Sequence, residues 1–221
     1  MAEPPVAPTP AAPSAAPPWE DFRGDWTERW KEMRLARTAT DYEVTSDSSG
    51  SILHGTSVEG ASVLLRQVEP DLAAASTLEW RWRVAGSLSE NRRERTKEGD
   101  DYAARVFVIF GSGELNADTR ALSYVWAANE PVGSEYGSPF AENVATIVVE
   151  SGDEHAGVWR MARVDILADY RRVFGREADR AAAIALMVDT DNTESRARAS
   201  FDFIELGGAV HGAPGDIGAA P

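Results

Sequence analysis

The chain has 221 residues, and its 36 acidic side chains outnumber 22 lysines and arginines to give a net charge of −14. This length fits one domain with tails, and the 43% of hydrophobic residues suffices for a core. The acidic balance argues against nucleic acids and anionic membrane surfaces, which attract clustered basic residues. The absence of cysteine excludes disulfides, thiolate metal sites and cysteine nucleophiles. No apolar stretch approaches the roughly 18 residues of a membrane span, and the residues after Met1 do not resemble a signal peptide.

The two ends of the chain have compositions that do not form a core. Residues 1–18 hold seven of the twelve prolines and are otherwise mostly alanine, which predicts an extended, disordered arm. The arm is either a spacer behind a removed export signal or membrane anchor, or an inert tail. Residues 207–221, rich in Gly, Ala and Pro, predict a second disordered tail. The folded domain is therefore expected at residues 19–206.

A helix or turn is predicted at the start of this domain. Large apolar side chains recur there at spacings of three and four residues, which places them on one helical stripe. Asp25 and Glu28 have the spacing of a capping box. We expect this stripe to pack into the core and not to form a sugar platform: Trp19, Phe22, Trp26, Trp30 and Met33.

Short apolar or alternating runs separated by turn residues fill the rest of the domain. Such runs at regular intervals are typical of an all-β sandwich or barrel. Residues 165–175 instead have helical spacing and end at Gly175, a good helix stop. The prediction is an antiparallel, jelly-roll-like β-sandwich with one or two short helices and strands near residues 42–45, 51–54, 62–68, 77–85, 102–110, 121–127, 144–150, 158–164, 181–188 and 199–206.

Two of these strands carry charged side chains on one of their two faces. Residues 78–85 read LEWRWRVA and residues 101–110 read DYAARVFVIF, so aromatic and charged side chains fall on opposite faces of each strand. We expect the charged face to hold a carbohydrate or another polar small molecule through Glu79, Arg81, Arg83, Asp101 and Arg105. The alternative is a purely structural arginine–carboxylate network, with Asp101 pairing with Arg105 or Arg81. Loss of binding without loss of stability on Arg105→Ala would indicate a ligand site.

A possible cation site follows the strand at residues 181–188. Residues 189–193 read DTDNT, and the oxygen atoms of Asp189, Asp191 and Asn192 are ligands that calcium prefers. The match to an EF-hand loop is poor, because Glu194 stands at the sixth position and Ser200 at the twelfth. The alternative, which we favour, is a strand-end turn in which Asp and Asn side chains bond local amides.

Evidence for catalysis is thin. Serine lacks a G-x-S-x-G context, and the three histidines have no metal-site spacing. A glycosidase needs two carboxylates around one sugar bond, and the sequence does not choose among the available candidates: Glu79, Asp101, Glu150, Asp189 and Asp191. Tyr124 and Trp126 are expected in the core.

Several segments together resemble a bacterial family known only as a domain of unknown function: LEWRWRV, DDYAARVFVIFG, LSYVWA, WRMARVDILADYRRVFG and ALMVDTDNT. The resemblance covers nearly all of residues 19–206 and is most specific at residues 100–105, 124–127 and 189–193. It implies a jelly-roll-like sandwich similar to carbohydrate-binding modules, and export to the periplasm or the outside of the cell. It implies no established activity, so no catalytic residue is carried over.

The leading functional hypothesis is a non-catalytic binding module of the cell envelope or extracellular space. Its ligand would be a glycan or another polar small molecule, with calcium as a possible cofactor. One alternative is an accessory subunit that docks on a larger envelope complex through its N-terminal arm. The other is a polysaccharide-cleaving enzyme that uses a carboxylate together with an arginine or Tyr102. Neither nucleic acid nor a transmembrane segment is expected.

Overall fold

The computed structural model describes residues 20–48, 50–68, 76–111, 119–178 and 180–207. The regular structure of these residues consists of twelve strands, the two α-helices Trp26–Arg29 (α1) and Ile166–Phe174 (α2), and one short 3-10 helix, Lys97–Gly99. The strands are Lys31–Arg34 (β1), Asp41–Ser46 (β2), Ser51–Val58 (β3), Ala61–Gln67 (β4), Thr77–Val84 (β5), Ala104–Phe110 (β6), Arg120–Ala127 (β7), Glu135–Gly137 (β8), Val144–Ser151 (β9), Arg160–Asp165 (β10), Ala181–Asp189 (β11) and Arg196–Gly207 (β12).

The strands form two sheets packed face to face, which confirms the predicted β-sandwich. One sheet has seven strands in the order β1-β4-β11-β6-β7-β9-β8, and the other has five in the order β10-β5-β12-β3-β2. The strand pairs are antiparallel, as predicted, with one exception: β7 and β9 run parallel, with Tyr124 opposite Ile147. The connection between these two strands contains β8, which pairs back onto β9. A hairpin is not formed there, so an antiparallel pair is not required.

A chain of aromatic rings joins the two sheets. Trp80 and Trp82 of β5 lie 5.3 Å apart between centroids, in an edge-on arrangement. Trp80 then contacts Tyr124 at 5.5 Å, and Trp82 contacts Trp126 at 5.8 Å, both across the sandwich. All four side chains are fully buried. The strict alternation of β5 therefore places its apolar set in the core, as predicted, and sends its charged set to the outer face.

The outer faces of the two sheets differ in character. On the seven-stranded sheet the outer face carries a second apolar cluster, whose buried members are Ala61, Val63, Ala185 and Met187. Phe107 and Ile109 of β6 pack against that cluster. On the five-stranded sheet the outer positions of β5 are charged and partly exposed. The charged residues of β5 thus lie on the outer face of the five-stranded sheet.

The helix or turn predicted over the N-terminal stripe is a short helix that is followed by a strand. Helix α1 has only four residues, capped as predicted by Asp25, whose carboxylate accepts a hydrogen bond from Thr27 N at 3.2 Å. Phe22 before it has a φ of +56°, and Trp30 after it is extended, leading into β1. The spacing marks core residues only in part. Phe22 and Trp30 are in the core and Trp26 packs against it, but Met33, predicted in the core, is 41% exposed because it lies on the edge strand β1. Trp19 lies outside the described residues.

Glu20 explains why the chain does not continue as a helix there. Its backbone pairs with Ile204 of β12, and its buried carboxylate accepts hydrogen bonds from Phe22 N at 2.6 Å and Trp30 Nε1 at 2.9 Å. Arg29 donates to the same carboxylate, and Arg66 of β4 forms an ion pair with it. These contacts hold the segment as a strap between the two sheets. Helical periodicity carries no information about contacts of this kind, which join residues far apart in the sequence.

Helix α2 is confirmed with both of its predicted ends. Asp165 caps it by accepting from Leu167 N at 3.1 Å and Ala168 N at 3.0 Å, and Gly175 ends it with a φ of +65°. Tyr170 packs its ring on Phe110 at 4.6 Å, which fixes the helix over one end of the sandwich. Neither helix in the described part of the chain has the length and apolar run that crossing a membrane requires.

The predicted ends of the domain are not tested by the structure. Residues 1–18, predicted to be a disordered arm, lie outside the described residues. So does the tail from residue 208 onwards. Strand β12 continues to Gly207, one residue past the predicted end of the domain at residue 206.

Candidate functional site

The five predicted ligand residues do not lie on one face, which corrects the expectation of a single polar surface. Glu79, Arg81 and Arg83 point outward from β5 in the five-stranded sheet. Asp101 precedes β6, and Arg105 lies in β6 of the seven-stranded sheet. Because β5 and β6 belong to sheets that pack through their inner faces, the outward side chains of the two strands are on opposite sides of the sandwich. Alternation along each strand does not reveal which sheet the strand joins.

Arg105 is enclosed by protein groups. Only 5% of the residue is exposed, and its Nε donates to Asp189 Oδ1 at 2.9 Å while its Nη2 donates to Asp189 Oδ2. Its Nη1 donates to Asp100 Oδ1 at 3.3 Å, and the guanidinium lies 4.3 Å from the centre of the Tyr102 ring. Burial raises the pKa of Asp189 to about 7, against the opposing effect of Arg105. The geometry is that of the structural alternative, a charge network within the fold.

Asp101 holds the turn that follows β11. Its Oδ1 accepts from the backbone N of Asn192 at 3.2 Å and from the Asn192 Nδ2 at 3.0 Å. Its Oδ2 accepts from Thr193 N and Thr193 Oγ1, both at 2.6 Å. The turn amides are thus satisfied by a carboxylate from a distant part of the chain. The favoured alternative predicted that the Asp and Asn side chains of the turn itself bond its amides, and this is wrong for Asn192 N and Thr193 N.

Two of the predicted cation ligands, Asp189 and Asp191, meet at this turn together with Asp101. Carboxylate oxygens of Asp101, Asp189 and Asp191 lie within 4.8 Å of one another, so they can hold a metal ion. An all-oxygen set fits calcium or magnesium. Arg105 already neutralises Asp189, and Asn192 has turned its amide to Asp101. A cation at this cluster would therefore be bound chiefly by Asp191, together with the remaining lone pairs of Asp101 and Asp189.

The carboxylates considered for glycosidic cleavage are dispersed. Glu79 forms a loose ion pair with Arg163 at 3.7 Å on the five-stranded sheet. Glu150 of β9 accepts from Arg160 Nε at 2.8 Å and bonds with His155 Nδ1 at 3.1 Å. The other three form the acidic cluster just described. Glu79 and Glu150 are thus paired with arginines at two separate places, whereas Asp101, Asp189 and Asp191 lie together.

The outer face of the five-stranded sheet presents an aromatic ring beside arginines. Trp159, just before β10, is partly exposed, and its ring centre lies 5.0 Å from the guanidinium of Arg81 and 4.8 Å from that of Arg83. Arg81 also pairs with Asp202 at 2.6 Å, which fixes its position. The sequence prediction assigned no role to Trp159, although the strand predicted near residues 158–164 includes it. Its alternation with Met161 and Arg163 is the signal that could have placed it on this face.

A shallow pocket of about 250 Å³ lies next to this ring. Arg83 is shared between the ring and the pocket, whose other polar side chains are His54, Arg198 and Ser200. Arg83, Ser200 and His54 lie in one row across β5, β12 and β3, because they are register partners. His54 had no predicted role, because its spacing in the sequence was considered only for metal binding. Its position opposite Ser200 depends on strand pairing.

His54 is held neutral in this row. Its ring is hydrogen-bonded with Thr45 Oγ1 and Ser200 Oγ, both at 2.9 Å, and only 8% of the residue is exposed. Burial lowers the pKa of His54 below 6.5, with Arg198 and Arg83 acting in the same direction and Glu43 opposing them. A neutral imidazole is consistent with its place among arginines.

This pKa predicts a dependence of stability on pH. A histidine with a lowered folded pKa contributes stability above pH 6.5, and the contribution is lost as the pH falls towards the folded pKa, because the unfolded chain takes the proton first. We expect the urea midpoint of the native chain to fall below pH 6.5 more steeply than that of the His54→Gln variant. Carboxylates titrate equally in both chains and cancel in the comparison. Parallel curves would show that His54 does not titrate differently on folding.

A family model identifies the relatives of this domain. The family described as "Protein of unknown function (DUF3047)" matches residues 28–205. The chain belongs to this family. The DUF3047 match begins within α1 and ends within β12, so it spans both sheets and includes the three most specific segments of the resemblance. A comparison of this DUF3047 chain with curated proteins finds no match.

Solved structures with similar folds include carbohydrate-binding and carbohydrate-cleaving proteins. The family 11 carbohydrate-binding module of cellulosomal cellulase Lic26A-Cel5E of Clostridium thermocellum is 11% identical with a TM-score of 0.49, covering 87% of this chain and 94% of that one. The xyloglucanase domain of NopAA, a type three effector from Sinorhizobium fredii, is 8% identical with a TM-score of 0.46, covering 81% and 93%. Both TM-scores are below 0.5, so the architecture of the DUF3047 domain rests on its own strand pairing.

Proposed function

We propose that this domain is a non-catalytic glycan-binding module whose binding surface is the outer face of the five-stranded sheet. The observation that carries the proposal is the partly exposed ring of Trp159 with Arg81 and Arg83 beside it. Glu79 lies on the same face and completes the predicted set of charged residues on β5. Asp101 and Arg105 are left out of the proposed surface, because they hold the fold together on the other sheet.

The chemistry of a sugar fits this combination. One face of a pyranose ring is a sheet of C–H groups that packs on an indole, while its hydroxyl groups need directed hydrogen-bond partners. Trp159 supplies the apolar surface, and the guanidinium of Arg83 and the carboxylate of Glu79 supply a donor and an acceptor. These side chains project from or directly adjoin paired strands, so their spacing is rigid, which favours a specific site.

Calcium at the cluster of Asp101, Asp189 and Asp191 remains a prediction, and in our proposal its role is structural. The cluster is on the other sheet from Trp159, so an ion there would brace the turn after β11 and would not touch the glycan. Placement in the periplasm or outside the cell, which the family resemblance implies, is part of the same proposal. Docking of the N-terminal arm on an envelope complex is compatible with it.

The test is a glycan array probed with the full 221-residue chain, followed by titration calorimetry of any hit in calcium and in EDTA. We expect Trp159→Ala to weaken binding at least about tenfold, because stacking on an aromatic ring contributes on the order of 1–3 kcal/mol in comparable ring contacts. Thermal stability should change little, since the ring lies outside the core. Binding should persist in EDTA if the cation is only structural.

A matched control is available on the other sheet's loops. Phe140 is 56% exposed, and the Nζ of Lys97 lies 5.5 Å from the centre of its ring. It too is therefore a surface aromatic residue beside a cation. Phe140→Ala should bind as the native chain does. Retention of binding by Trp159→Ala together with its loss in Phe140→Ala would move the site to the other sheet. Absence of binding to every glycan on the array would refute the proposed function.

A further inference from the structure

Two arginines that line the pocket, Arg83 and Arg198, differ from Arg81 and Arg163 on the same face. Arg81 pairs with Asp202 and Arg163 with Glu79. Within the described part of the chain, Arg83 and Arg198 have no carboxylate within 4.0 Å. The chain has 36 acidic residues for 22 basic ones, so unpaired arginines side by side are unexpected in it. Their lack of acidic partners leaves positive charge open to a ligand.

Their placement on the sheet keeps the two charges together. Val84, next to Arg83, is the register partner of Ala199, next to Arg198, so the two arginines are diagonal neighbours on β5 and β12. Like charges at cross-strand positions destabilise a sheet unless something neutralises them. His54 adds no third positive charge to the pocket, because its imidazole is neutral above its lowered pKa. The pocket is thus an arginine pair lined by uncharged hydrogen-bonding groups.

We infer that this pocket binds an anionic substituent of the glycan, so that the ligand class is an acidic polysaccharide such as one built from uronic acids. The inference rests on the proposed function, which it makes more specific. Guanidinium groups bind carboxylates, sulfates and phosphates through two parallel hydrogen bonds, and Arg83 is the residue that joins the pocket to Trp159. A sugar ring on Trp159 would therefore direct its acidic group towards Arg83 and Arg198.

The size of the pocket agrees with a substituent and not with a whole oligosaccharide. Pockets for drug-sized ligands measure roughly 300–1,000 Å³, and this one has about 250 Å³. Its lining also includes Val84, Ala85 and Gly157. The rest of the glycan would lie along the open face, on Trp159 and the charged positions of β5.

The test compares oligogalacturonates with their methyl esters, which keep the sugar and remove the charge. Titration calorimetry with the full chain should show the acid bound at least about tenfold more tightly than the ester, because hydrogen bonds between two charged groups are the strong ones. Arg198→Gln should reduce the affinity for the acid to that for the ester and leave the ester unaffected. Arg196→Gln is the matched control, an exposed arginine two residues away on the same strand and outside the pocket.

The outcomes separate this inference from the proposed function. Equal binding of acid and ester, or an Arg198→Gln variant that keeps the preference for the acid, would overturn the inference while leaving a glycan-binding module. Loss of the preference in Arg196→Gln as well would overturn it too, because a diffuse charge effect would then suffice. Binding of neither ligand, and of no other glycan, would remove the proposed function itself. A sulfated galactan as a third arm distinguishes a carboxylate requirement from recognition of any anionic substituent.

Discussion

Replacing Arg105 by alanine is expected to lower the free energy of unfolding by about 3–5 kcal/mol, the usual result of removing one partner from a buried ion pair. The variant would leave the carboxylate of Asp189 and that of Asp100 buried without their cation. It would also leave the ring of Tyr102 without the guanidinium packed on it. Urea denaturation of the two chains at neutral pH measures the difference.

Arg81→Ala provides the comparison on the other sheet. Arg81 has one ion pair and remains 39% exposed in its side chain, so its loss should cost at most about 1 kcal/mol. An Arg105→Ala variant as stable as the native chain but unable to bind glycans would contradict the structural role. It would restore the ligand site first expected from the sequence at Asp101 and Arg105.

Trp82→Ala is expected to destabilise the domain by about 3–5 kcal/mol, the range measured for aromatic-to-alanine changes in cores. Trp82 is fully buried, and its ring contacts Trp80 beside it and Trp126 of the opposite sheet. Removing it would open a cavity at the contact between the two sheets, which neither rigid sheet can close. The fall in the denaturation midpoint, with an unchanged slope, would measure this loss.

Trp159→Ala is the matched tryptophan change. Trp159 precedes β10, which pairs with β5, and it lies on the outer face of the same sheet. We expect it to cost less than about 1 kcal/mol, in line with surface substitutions. A loss of stability as large as that of Trp82→Ala would place Trp159 in the structural core of the domain. Its effect on glycan binding would then have to be assigned to unfolding.

The sequence by itself determined the secondary structure that follows from local rules. Alternation along β5 assigned Trp80 and Trp82 to the core and the charged residues to the surface, because successive side chains of a strand point to opposite faces. Asp165 and Gly175 marked both ends of α2, because capping depends on residues within one turn of the helix. These signals need no knowledge of the rest of the chain.

The same local rules failed where a distant residue intervened. The helical spacing from Trp19 to Met33 gave only the four residues of α1, because Glu20 binds across to Ile204 and Arg66 and fixes the backbone in another conformation. The acidic segment after β11 is predicted as a turn bonded by its own Asp and Asn side chains, but the amides of Asn192 and Thr193 donate to Asp101, which is distant in the sequence. Packing between distant segments decided which carboxylate accepts these hydrogen bonds.

Only the tertiary structure decided the composition of the candidate site. Strand pairing placed β5 and β6 in different sheets and so separated Arg81 and Arg83 from Arg105. It also brought His54 and Arg198, far apart in the chain, to the same pocket beside Arg83. The sequence determines which face of its own strand a side chain takes, but the partner strands, and hence the groups a ligand meets, follow from long-range burial and register.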